Sequence, residues 1–81
     1  MEKSQIIEKI NAFLVEDFEI DAEKLVPDAN FKKDLGIDSL DIVDVVVTVD
    51  NLFGVKIKAE DLRNVTTLQA FYDFIDAKLN G

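Results

Sequence analysis

The chain has 81 residues, room for one small domain that hides only about 60 to 65% of its unfolded surface, and 48% hydrophobic content with 3 Gly and 1 Pro marks it as folded rather than disordered. Its 9 Lys and Arg stand against 17 Asp and Glu, a formal charge of −8 that repels nucleic-acid backbones and anionic membranes and points to basic proteins as partners. His and Cys are both absent, which excludes imidazole general bases, thiol nucleophiles, disulfides and the usual zinc sites.

The first residues, Met1-Glu2-Lys3-Ser4-Gln5, open no apolar signal region, and no apolar run approaches the roughly 18 to 20 residues of a membrane span. These features predict a soluble, cytoplasmic, monomeric chain forming one domain over 1–81. Ile6, Ile7, Ile10, Phe13 and Leu14 then recur at helical spacing and predict a first amphipathic helix, with Glu2 or Ser4 near its start. Residues 16 to 37 form a long connection broken by Pro27 and Gly36, with Ile20, Leu25 and Phe31 as inward anchors. A connection of that length fits a compact domain only if it is packed or functional. Its alternating acids Asp17, Glu19, Asp21 and Glu23 do not make a calcium loop, because Ala22 stands where Gly is needed, Pro27 intrudes and the terminal bidentate Glu is missing.

Residues 40 to 53 are contested. Ile42, Val43, Val45, Val46, Val47, Thr48 and Val49 are β-branched, and propensity alone reads a strand. Turned at 100° per residue, however, Ile42, Val45, Val46, Val49, Leu52 and Phe53 fall in one sector about 120° wide. The β-branched penalty is roughly 3 kcal/mol in total, whereas burial gains ~1.5 to 3 kcal/mol for each of the six. The helix is therefore the expectation, with Asp38 as its N-cap and Asp41 in its first turn.

The same projection leaves Leu40, Val43 and Val47 as a second apolar strip on the opposite side, interleaved with Asp44, Asp50 and Asn51. Residues 34 to 53 carry Asp34, Asp38, Asp41, Asp44 and Asp50 without one Lys or Arg. Like charges three apart cost a helix a few tenths of a kcal/mol, so stability does not ask for this arrangement. An apolar strip ringed by acids suits docking to a basic, apolar-centred partner. The alternative is a solvated acidic face with three stray aliphatics. Further on, Ala59 to Arg63 predicts one short helical turn with Ile57 and Leu62 facing inward. Thr66-Thr67-Leu68-Gln69 then reads as a capping box opening a last helix through Leu68, Phe71, Tyr72, Ile75 and Leu79, which Asn80-Gly81 closes. The fold class expected is all-α, a small four-helix bundle of three longer helices and one short one.

The segment Phe31-Lys32-Lys33-Asp34-Leu35-Gly36-Ile37-Asp38-Ser39-Leu40-Asp41 resembles the signature of acyl carrier proteins, supported by Phe53-Gly54-Val55-Lys56-Ile57 and Val65-Thr66-Thr67-Leu68-Gln69-Ala70. The resemblance runs over roughly residues 4 to 79. It implies that residues 16 to 37 are the packed loop between the first two helices. It also implies that a phosphopantetheinyl transferase attaches 4′-phosphopantetheine from coenzyme A to Ser39, beside Asp38. The working sulfur is then imported on the arm, and acyl groups ride on it as thioesters. The resemblance further implies docking onto basic patches of acyl-processing enzymes through Leu40, Asp41, Val43, Asp44, Val47 and Asp50. The family often has a denser acidic run where this chain reads Asp50-Asn51-Leu52; Glu60 and Asp61 are the acids expected to supplement it. An acyl pocket between the helices is expected from Ile42, Val46, Ile57, Leu62 and Val65.

By this reading the chain is not an enzyme: no His activates Ser39 and no nucleophile elbow surrounds it. The function expected is acyl carriage, with fatty acid biosynthesis as the default pathway. The alternatives are a specialised polyketide, aryl or aminoacyl carrier and, in a different class, an unmodified acidic adaptor.

Overall fold

The computed structural model describes residues 1–81. Three α-helices form, α1 (Lys3–Glu16), α2 (Ser39–Phe53) and α3 (Leu68–Asn80), with 3₁₀ turns at Ala22–Lys24 and Ala59–Asn64. No helix is long and apolar enough to cross a membrane. The all-α expectation holds, and the fourth, short helix is the 3₁₀ segment Ala59–Asn64.

The contested stretch is helical. Val45 and Val49 are fully buried, and Ile42, Val46 and Phe53 pack partly buried against the core. Thr48 turns its hydroxyl back to the Asp44 carbonyl at 2.8 Å, so this β-branched polar residue leaves no donor unmet on the helix. Leu52 departs from the expected core face and is 41% exposed. It sits at the edge of the apolar sector in the last turn, just before Gly54 ends the helix in the left-handed conformation at φ 68°. Two full burials and three partial ones still outweigh the roughly 3 kcal/mol propensity penalty.

Helix α1 buries Ile6, Ile10, Phe13 and Leu14, and α3 buries Leu68, Phe71, Tyr72 and Ile75. These two helices pack on each other, while α2 lies against Ala59–Asn64. Glu2 is the N-cap of α1, with the Gln5 side chain accepting from its N–H at 3.3 Å. At the α1–α3 seam, Lys3 donates to Asp73, which holds the Lys3 pKa above and the Asp73 pKa below their ordinary values. Nearby, Tyr72 donates to Asn11, and burial pushes its phenol pKa up in spite of that bond.

The long connection is packed rather than loose. Ile20, Ala29, Phe31, Leu35 and Ile37 are buried, Leu25 half-buried, and the Phe31 ring meets Phe71 at 5.0 Å between centroids. The connection also caps α3. The carbonyls of Ala29 and Pro27 accept the N–H groups of Leu68 and Gln69 at 2.9 and 2.8 Å, and Phe31 N–H donates to the Thr66 carbonyl at 3.0 Å. Four orphan donors open any helix, and here the loop supplies two of the acceptors. That changes the expected cap. Thr67, not Thr66, is the N-cap, its hydroxyl accepting from Ala70 N–H at 3.2 Å, and Gln69 reaches forward to Asp73 at 3.0 Å instead of closing a box.

Candidate functional site

The start of α2 is built by two aspartates. Asp38 Oδ1 accepts from the N–H groups of Leu40 at 2.9 Å and Asp41 at 3.1 Å, and Asp41 Oδ2 accepts from Asp38 N–H at 3.2 Å. This reciprocal arrangement satisfies the exposed donors and sets negative charge against the positive end of the helix dipole. It repays the mutual repulsion of the two carboxylates.

Ser39 is the first residue inside this helix. Its hydroxyl makes no hydrogen bond and its backbone N–H has no acceptor, because Asp38 does the capping. The side chain is exposed. A capping Ser would have its oxygen committed to the backbone; this one is free to be esterified. An exposed oxygen beside an unmet N–H at a helix start fits a phosphodiester.

On one side of Ser39 lies the outward apolar strip. Leu40, Val43 and Val47 are 80%, 55% and 54% exposed, far more than aliphatic side chains placed for core packing. Asp44 and Asp50 are exposed around them, and Asp41 is half-buried, held by its cap. The strip and its acids thus occupy one continuous face, as the projection required. Glu60 is exposed, whereas Asp61 is half-buried and spends its carboxylate on Lys58 N–H at 3.0 Å.

On the other side a cleft of about 520 Å³ opens directly at Ser39. Of the five expected lining residues, Ile42, Leu62 and Val65 line it, together with Phe31 and Ile37. Val46 and Ile57 do not. Ile57 is buried in the general core and Val46 packs against it, because the cleft forms between the start of α2 and the turn at residues 30 to 33 rather than along the middle of the helix. Sequence reading also missed the cleft's polar wall, made by Asn30, Lys32, Lys33 and Arg63. A signal was present: Lys32-Lys33 is the only adjacent pair of cations in the chain and stands seven residues before Ser39. The alternating acids of residues 17 to 23 form no cluster of metal ligands.

A family model described as the phosphopantetheine attachment site matches residues 8–75. The acyl carrier protein of Thermosynechococcus vestitus is 39% identical over 79 residues, covering 98% of each chain. That of Guillardia theta is 34% identical over the same share of both, and that of Syntrophus aciditrophicus 37% identical over 88% of this chain and 89% of its own. Matched at that breadth, and with an uncommitted serine heading its second helix, the chain belongs to the acyl carrier proteins of the phosphopantetheine-attachment family.

Proposed function

We propose that Ser39 is the residue that takes the 4′-phosphopantetheine arm, and that the chain carries acyl intermediates, with fatty acid biosynthesis as the pathway. The observation that carries the assignment is the free, exposed Ser39 hydroxyl beside a helix cap already completed by Asp38. When bound, the arm supplies a terminal thiol on which acyl groups are held as thioesters.

The chain's own residues present and steer rather than catalyse. Asp38 and Asp41 hold the first turn of α2 rigid, so the serine oxygen is offered at a fixed place. In loading, that oxygen displaces 3′,5′-ADP from the phosphopantetheinyl phosphorus of coenzyme A, and the hydroxyl proton leaves to a base of the transferase, since this chain has no His to accept it. Leu40, Val43 and Val47 supply apolar contact, while Asp41, Asp44 and Asp50 steer basic patches of the transferase and of acyl-processing enzymes into register. Ile42, Leu62 and Val65 offer an apolar wall to an acyl chain close to Ser39. The net charge of −8 repels second copies and favours a monomer, and the need for coenzyme A favours the cytoplasm.

The test is loading. Purified protein incubated with coenzyme A, Mg²⁺ and a broad-specificity phosphopantetheinyl transferase should gain the mass of one phosphopantetheine, and Ser39→Ala should gain none. Equal gain on both proteins, or none on wild type while a control carrier loads, overturns the assignment. The thioester borne by protein isolated from its own cells separates fatty acid carriage from a polyketide, aryl or aminoacyl cargo.

A further inference from the structure

The cleft beside Ser39 carries a charge opposite to the rest of the molecule. Lys32, Lys33 and Arg63 all line it, three of the chain's nine cations in a protein of net charge −8. All three are exposed, and none forms an ion pair or a side-chain hydrogen bond. The ion pair the molecule does make, Lys3 with Asp73, lies at the α1–α3 seam. The two lysines are held in place by Asn30, whose Oδ1 accepts from the backbone N–H groups of Lys32 at 3.0 Å and Lys33 at 2.8 Å. Asp34 Oδ2 in turn accepts from Asn30 N–H at 2.7 Å. That turn is a built feature, and it presents two adjacent cations to the same opening that Arg63 approaches from the 3₁₀ segment Ala59–Asn64.

Like the function proposed for Ser39, on which it rests, this charge pattern concerns a phosphodiester one bond from the serine oxygen. Such a group carries one negative charge, which Asp41 and Asp44 repel from the strip side. Against it on the cleft side stand three cations and a single lining carboxylate, Asp38, already engaged in capping. We propose that Lys32, Lys33 and Arg63 form an anion clamp for the arm's phosphodiester, which lays the resting arm into the cleft and away from the acidic docking strip. The apolar wall of Phe31, Ile42, Leu62 and Val65 then covers the neutral part of the arm. The division of charge about Ser39 gives one face to the partner and the other to the prosthetic group.

Exposed charge pairs are individually weak, and three acting together shift the ratio of cleft-bound to free arm by roughly fivefold at low salt. The test is the ³¹P resonance of holo wild type and of holo Lys32→Gln/Lys33→Gln/Arg63→Gln, with intact mass confirming one arm on each and circular dichroism confirming unchanged helicity. The wild-type signal should be displaced from that of a free phosphopantetheine ester at low salt and return toward it at 1 M salt, where screening falls to about 3 Å. The triple variant should lie near the free value in both, and Lys32→Glu/Lys33→Glu/Arg63→Glu should lie there too. Coincident wild-type and variant signals on fully loaded protein overturn the clamp alone; failure to load at all overturns the assignment of Ser39 as well.

Discussion

Replacing Asp38 with Ala tests how the site is held. The substitution removes Asp38 Oδ1, which accepts from both Leu40 N–H and Asp41 N–H at 2.9 and 3.1 Å, and a charge favoured by the helix dipole. Loss of such a cap costs about 0.5 to 2 kcal/mol. Relief of the repulsion between Asp38 and Asp41, three residues apart, returns a few tenths of a kcal/mol. The net is a loss of about 1 kcal/mol, and in a domain of this length that lowers the melting temperature by roughly 4 to 8 °C. Asn, which keeps an acceptor without the charge, should recover more than half of the loss. Thermal unfolding followed by circular dichroism gives the stability, and intact mass with time gives the loading rate, which should fall because Ser39 is then presented from a fraying turn. If the Ala variant melts within about 1 °C of wild type, the two-aspartate cap does not order this helix and the account of the site fails.

Val47→Lys should slow loading by roughly five- to tenfold, since it replaces an apolar contact with a charge of the partner's own sign. Helicity should hold, because Val47 is more than half exposed and Lys is the better helix former; loading at the wild-type rate would place the partner surface elsewhere. The Lys3–Asp73 pair predicts a stability plateau with two edges. Asp73 has a lowered pKa, so its contribution is present above the unfolded carboxylate value and is lost as pH falls through the folded one. Lys3 has a raised pKa, so its contribution is complete below the unfolded lysine value and is lost as pH rises through the folded one. Lys3→Met should flatten both edges in melting temperature against pH, and unchanged edges would show that the pair does not couple α1 to α3.

Helical periodicity and local charge, both legible along the chain, account for much of this protein. The inward faces of α1 and α3, the N-cap at Asp38, the placement of Ser39 just inside α2, and the outward strip of Leu40, Val43 and Val47 all follow from 100° per residue and from the donors that open a helix. Even the β-branched stretch was decidable, because burial of one face outweighs the propensity of its residues. Other features depend on which distant segments meet, and these emerge only from the packed fold. Leu52 is exposed because neighbouring elements do not cover the last turn of α2 at that edge, and Thr67 replaced Thr66 as the cap because the carbonyls of Pro27 and Ala29, some forty residues earlier, took the first helical donors. The cleft gained Lys32, Lys33 and Arg63 and lost Val46 and Ile57 for the same reason: a concave surface is made by the approach of separate chain segments, and no periodicity within one segment records where another will arrive.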